Sequence, residues 1–234
     1  MPLRIIHSIF FYLITVISFV VGTTITLFFV PFSKSPYRPF QTAAHLWARF
    51  LAFFSGVKVK VSGLENIPRD KALILASNHQ GAADILIVLA CLPIRFRFAI
   101  KKELFKIPVF GLYLKKAGYF SIDRKMVLSA YRTVETIIKI IKEGESVLIF
   151  PEGTRTKTGE LGRFKRGSLL AALKSGAPII PIAISGSFNI MKKGSWLFNP
   201  CPVKFSVGKP IYIQSEADYD SKVEEVRETI ARML

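Results

Sequence analysis

"ASNHQGAADILIVLACL", residues 76–92, changes character twice within one short stretch. An apolar, strand-like run from Ala72 to Ala76 ends in Ser77-Asn78-His79, and Asp84 then opens an apolar, helix-like run to Cys91. A strand passing through a short polar loop into a helix is the repeating unit of an α/β domain. The loop also holds one of only three histidines in 234 residues. In such a turn, five residues bring Asp84 back to the His79 ring. A carboxylate on one ring nitrogen fixes the tautomer and leaves the other nitrogen as a base. No GxSxG and no comparable Cys signature supplies a nucleophile, and nothing marks Ser77 as activated. The economical reading is that the nucleophile is a substrate hydroxyl, which His79 deprotonates. The competing reading is structural, with Asn78 and Asp84 capping the helix.

Further along the chain the strand-to-helix pattern recurs. "KVKVSG" from Lys58 alternates as a strand does, and short β-rich runs follow at 97–100, 119–122, 147–150, 179–184 and 203–207. Helix-like segments cover 84–91, 127–142, 168–175 and 221–233. The alternation predicts an α/β domain with a mixed, largely parallel sheet and helices on both faces.

In such sheets ligands sit beyond the carboxyl ends of the strands. Three further strand ends carry polar groups there. "GYFSIDR" delivers Asp123 and Arg124, and an Arg at that place suits a phosphate. "LIFPEGTR" runs into Glu152, Gly153, Thr154 and Arg155, with Lys157, Arg163, Lys165 and Arg166 in the loop beyond. That loop lacks GxxxxGK[ST], so nucleotide hydrolysis is not implied. Lys101 and Lys102 follow the strand at 97–100 and face the same rim. "PIIPIAI", 178–184, is an apolar strand containing Pro181, which predicts an edge strand or a kink beside a ligand channel.

Toward the amino terminus the composition changes. From Ile5 to Val30 the chain is almost continuously apolar. At ~1.5 Å per residue, such a run is long enough to cross ~30 Å of hydrocarbon. It ends in Val-Pro-Phe rather than a small-residue cleavage site, which argues against a signal peptide. A second segment, 43–57, is too short to span and reads as an interfacial helix with Trp47 and Arg49 at headgroup level. The two could also form a hairpin in one leaflet. The expected division is therefore 1–57, membrane-anchoring helices, and 58–234, the α/β domain. Cations following the first helix place that domain on the cytoplasmic side. Net charge is +17 and half the residues are hydrophobic, which points to an acidic partner at a membrane. Phe and Tyr fall within apolar runs rather than among the cations, so nucleic acid is not an expected partner. Cys91 and Cys201 are far apart and form no CxxC, which gives no zinc or disulfide framework and fits a reducing compartment.

Four blocks in order resemble the glycerolipid acyltransferases of the PlsC-like family. NHQGAAD (78–84) is similar to the family's NHxxxxD motif, GYFSIDR (118–124) to its second block, FPEGTR (150–155) to its third, and Ile180-Pro181-Ile182 to its short fourth. The resemblance covers Val57 to the carboxyl terminus and is strongest to the 1-acylglycerol-3-phosphate acyltransferases. It implies a glycerol-3-phosphate acyltransferase-like fold and direct acyl transfer without an acyl-enzyme. His79, oriented by Asp84, would deprotonate the sn-2 hydroxyl of lysophosphatidic acid. The acyl donor would be acyl-CoA or acyl–acyl carrier protein. Lys101, Arg124 and Arg155 would hold phosphates, and Glu152, Gly153 and Thr154 would shape the acceptor site. No metal or prosthetic group is implied. Anionic lipids of the cell membrane are the expected surroundings. A different lysophospholipid or lyso-aminolipid acceptor is the alternative, and a membrane scaffold without activity is a third reading.

Overall fold

The computed structural model describes residues 2–122, 127–191 and 194–234. The central element is β2, Ile74–Ser77, whose four residues are all buried. It is flanked by β5, Ser146–Ile149, and β6, Ile179–Ser185, both parallel to it. Outward from β5 come β3, Phe96–Lys101, and β4, Phe120–Ile122, also parallel. Outward from β6 comes β7, Val203–Val207, antiparallel to β6, and then β1, Val59–Ser62, parallel to β7. Among the described residues the sheet therefore reads β1-β7-β6-β2-β5-β3-β4, mixed and largely parallel as expected.

Both faces are covered, and period-two alternation in the strands shows it. Leu75, Leu148, Ile180 and Ile182 face one core with α3, Asp84–Cys91. Ile74, Ala76, Val147 and Ile179 face the other, with α5, Val127–Lys142, α6, Leu170–Ser175, and α7, Tyr219–Met233. The chain leaves β2 for α3 on one face and leaves β5 for α6 on the other. The carboxyl ends of these two neighbours thus bracket the switch point, where α/β sheets open a crevice.

One expectation needs correction, and one helix was not foreseen. Pro181 is not on an edge, because β6 lies between β2 and β7. The missing N–H is tolerated because β7 pairs with β6 only from Ile182 onward, and Ile211 bridges Ile179 on the other side of the proline. The sequence pattern also gave no sign of α4, Phe110–Lys116, which is short and follows Pro108.

The amino-terminal segment forms α1, Pro2–Phe29, and α2, Arg38–Ser55. α2 starts five residues before the predicted 43, because Pro39 in its first turn is compatible with helix. It ends at Gly56, whose φ of 73° is the left-handed conformation that closes helices. α1 is the one described helix long and apolar enough to cross a membrane. It packs along the domain rather than projecting from it. Phe11 stacks on Phe198 at 4.1 Å, and Phe19 meets Trp47, Phe110 and Tyr113. The Trp47 indole N–H donates to Ser18 Oγ, tying α2 to α1. The outward face of α1 stays apolar and exposed, with Ile6, Leu13 and Val16 each about 60 % accessible.

Candidate active site

β2 delivers three consecutive side chains to the switch point. The Ser77 hydroxyl, fully buried, donates to the Asn78 carbonyl oxygen, so it is committed to the turn. Asn78 turns back to β6, where its Nδ2 donates to the Ile184 carbonyl and its Oδ1 accepts from the Ile184 N–H, both at 2.8 Å. This side chain continues the ladder by one rung after the main chain has left the sheet. His79 comes next.

The His79 Nδ1 lies 2.7 Å from Asp84 Oδ2. The same oxygen accepts the N–H groups of Gln80 and Gly81, at 2.7 and 2.8 Å. Two backbone donors already make that oxygen an acceptor, so the short contact with the ring is satisfied when Nδ1 donates to it. Nδ1 therefore carries a proton, and the other ring nitrogen, Nε2, keeps its lone pair. Asp84 is fully buried in the first turn of α3, where a negative charge is favoured. The His79 side chain is 13 % exposed and stacks on the Phe150 ring at 4.0 Å. The imidazole is thus fixed at one nitrogen and on one face.

β5 supplies the opposite wall. Glu152 is buried, and its Oε1 accepts the His79 backbone N–H at 2.8 Å while its Oε2 accepts the Gly162 N–H at 2.8 Å. Each carboxylate oxygen is thus engaged by the backbone. Glu152 braces the base's own turn, which differs from the ligand contact expected of it. Gly153 has a φ of 73°, a left-handed conformation that favours glycine, and the end of the Lys165 side chain passes close over it. Thr154 and Arg155 are exposed beyond it. Lys101, at the end of β3, is also exposed, with Glu103 at 3.8 Å in a solvated pair of little energetic weight. Arg124 lies outside the described residues.

Sequence reasoning had not found the ring platform of Phe150, the Asn78 clamp or the brace from Glu152. Asn78 and Glu152 were visible as polar residues at strand ends, but their partners are backbone groups of other strands. Among the described residues no group of three His, Cys, Asp or Glu side chains is placed to hold a metal ion.

A buried carboxylate holding one imidazole nitrogen, with no hydrogen bond to the other among the described residues, is an arrangement that can serve as a general base toward a substrate group. The comparisons with known proteins give the family. The acyltransferase family model matches residues 58–185, and the chain belongs to that family. It is 36 % identical over 165 residues to the 1-acyl-sn-glycerol-3-phosphate acyltransferase of Bacillus subtilis, covering 70 % of this chain and 79 % of that one. The chloroplast 1-acyl-sn-glycerol-3-phosphate acyltransferase BAT2 of Brassica napus is 36 % identical over 193 residues, 82 % of this chain. The chain spans little more than half the length of such chloroplast relatives, 55 % for BAT2. The crystal structure of the 1-acyl-sn-glycerophosphate acyltransferase PlsC from Thermotoga maritima superimposes with a TM-score of 0.82 at 26 % identity, covering 98 % of this chain and 97 % of that one.

Proposed function

We propose that the protein is a 1-acyl-sn-glycerol-3-phosphate acyltransferase, which moves an acyl chain from a thioester to the sn-2 hydroxyl of lysophosphatidic acid. The observation that carries the reading is the 2.7 Å contact of His79 Nδ1 with Asp84 Oδ2, which leaves Nε2 as the base. Nε2 removes the hydroxyl proton as the oxygen attacks the thioester carbonyl. The tetrahedral intermediate then collapses, the carbon–sulfur bond breaks, and the imidazolium returns its proton to the departing thiolate. The products are phosphatidic acid, a thiol and neutral His79. The residues required are an acid–base pair and cations, so the reading includes no metal and no prosthetic group.

Arg155 and Lys101, with Arg124, serve the phosphates of acceptor and donor, which is either acyl-CoA or acyl–acyl carrier protein. Thr154 and Gly153 shape the acceptor site, and Glu152 contributes through the His79 turn. An apolar cavity of about 40 Å³ is lined by Ala83, next to Asp84 in the chain, and by Leu86, Leu51, Ile190 and Phe198. It suits the first carbons of an acyl chain.

The reading places residues 1–57 as a membrane-seated pair of helices and 58–234 as the reacting domain on the cytoplasmic face. From Phe11 to Phe19 the inner face of α1 is occupied by protein, and its outer face is apolar. A helix so attached sinks its outer face into one leaflet, together with the exposed Phe50, Phe53 and Phe54 of α2. Anionic lipids favour this placement electrostatically.

The direct test is thiol release by the full chain in detergent micelles. Acyl-CoA and acyl–acyl carrier protein are each offered with lysophosphatidic acid, lysophosphatidylcholine or water as acceptor. Release that depends on lysophosphatidic acid supports the assignment. Release with lysophosphatidylcholine alone moves the protein to a sister activity, and none with either donor overturns acyl transfer.

A further inference from the structure

A second cavity, polar and of about 530 Å³, opens at the opposite end of the sheet. Its floor includes Leu73, which precedes β2, and Ser146, which begins β5. Six residues of chain separate Leu73 from His79, so the cavity lies roughly 20 Å from the base by strand geometry. A volume of this size is typical of small-ligand sites.

Its charge is lopsided. Arg38 and Arg49 of α2 line it together with Arg69, Lys71 and Arg95. The one lining carboxylate, Glu145, is taken by Arg97, whose Nε lies 2.6 Å from Oε2. Asp70 reaches Lys71 at 3.9 Å, but both are solvated. Among the described residues Arg49, Arg69 and Arg95 make no ion pair, and Arg38 meets only the more distant charge of Glu145, which Arg97 already holds. His45 lines the same cavity; its Nδ1 is 2.7 Å from the Leu89 carbonyl oxygen, and its Nε2 is buried without a hydrogen-bond partner among the described residues. Burial holds its pKa below the usual histidine value, and the charges of Arg49 and Arg95 add to this against the Leu89 bond. So many cations around one cavity destabilise each other unless an anion enters.

The position of the cavity selects the anion's source. Leu46, 60 % exposed, forms part of the lining. On α2 it shares a face with Phe50 and Phe53, four and seven residues on, both exposed. A cationic cavity with an apolar ramp at its mouth fits an amphiphile whose phosphate enters while its chains lie along the helix.

We propose that this cavity is a second, non-catalytic site for the headgroup phosphate of an anionic phospholipid, gripped by Arg69 and Arg95 with Arg38, Arg49 and Lys71 around them. It is a stoichiometric site at the far rim of the sheet, and it does not depend on the reaction assigned to His79.

The test is native mass spectrometry of the detergent-solubilised full chain, with phosphatidylglycerol as probe and phosphatidylcholine as neutral comparison. The wild type is expected to retain one phosphatidylglycerol in preference to phosphatidylcholine. Arg69→Gln combined with Arg95→Gln weakens that retention roughly tenfold or more, from the usual strength of cation–anionic lipid contacts. Arg69→Lys with Arg95→Lys keeps most of it, and His79→Ala keeps all of it. Equal retention in the Gln pair, or loss in His79→Ala, overturns the site. Displacement of the lipid by an equal concentration of inorganic phosphate overturns the lipid as its source. A second readout needs no variant: phosphatidylglycerol should move the His45 ring resonance in wild-type protein, and phosphatidylcholine should not. A shift confined to His79, or no shift, also overturns the proposal.

Discussion

The backbone N–H of His79, just past β2, donates to Oε1 of Glu152, just past β5, at 2.8 Å. The two strands whose chains depart to opposite faces are thus joined at the residue proposed as the base. Glu152→Gln keeps the size of the side chain but offers one acceptor where two are used, and its NH₂ then opposes either the His79 or the Gly162 amide. Buried charged hydrogen bonds are worth about 1.5–3 kcal/mol, so the variant should lose stability of that order. With the turn displaced, kcat should fall while the KM values for both substrates change little. A raised acceptor KM with unchanged kcat would instead make Glu152 a substrate ligand.

Asp84→Asn tests the tautomer argument. The amide no longer requires Nδ1 to be the protonated nitrogen, so the ring loses its preference for presenting a bare Nε2. By analogy with other His–carboxylate pairs, acyl transfer should fall by about 10³–10⁴-fold. His79→Ala should reduce it at least as far. Both variants should keep the circular dichroism of the parent, and turnover near the parent's in either one rejects the base.

Arg155 is exposed beyond the Glu152 brace, and no side-chain hydrogen bond or ion pair ties it to the other described residues. Arg155→Ala should therefore leave thermal stability unchanged and raise KM for a phosphorylated substrate, by about tenfold if one phosphate contact is lost. Unchanged KM values for both donor and acceptor remove it from the site.

The Arg97–Glu145 pair gives a pH dependence. Burial pushes the Glu145 carboxyl up, but the hydrogen bond and charge of Arg97, helped by Gln41, outweigh it and hold the pKa below the ordinary glutamate value. A depressed carboxyl contributes stability in full above its unfolded pKa and loses it as pH falls through the folded one. The parent should therefore lose melting temperature as pH drops below about 4.5, the unperturbed glutamate region. Glu145→Gln should be less stable at neutral pH and show a shallower loss over that acid range. Parallel melting profiles would remove the pair from the acid response.

The thiols should be slow to react. Burial pushes the Cys91 thiol up to about 12, with Arg49 opposing it, and burial also raises Cys201. Because the thiolate is the reactive form, iodoacetamide at pH 8 should label the folded chain far more slowly than the unfolded chain. Rapid labelling of Cys91 in the folded state would contradict its placement on the inner side of α3.

How much of this was legible beforehand depends on what each feature rests on. The β2–α3 unit was readable because the period of its apolar residues and the His79–Asp84 spacing are local. The strands were readable within a residue or two for the same reason. α4 was not, since its few residues, between Pro108 and Gly118, hold too little of a helical period. Pro181 misled because a proline's tolerance in a strand depends on which neighbour it faces, and that is decided by β7 and Ile211. Glu152 was picked out as a site residue, but its partners, the His79 and Gly162 amides, are 73 and 10 positions away and follow from the fold. Phe150 beneath the imidazole could only be seen once β5 lay beside β2.

The Asn78 amide, bonded in both directions to Ile184, fastens the His79 turn to β6, as Glu152 fastens it toward β5. Releasing the imidazole from its place therefore means breaking contacts on both sides of β2 together, which opens the middle of the sheet. Openings of core strands approach global unfolding in rarity. The His79 imidazole accordingly keeps one place for as long as the sheet itself holds together.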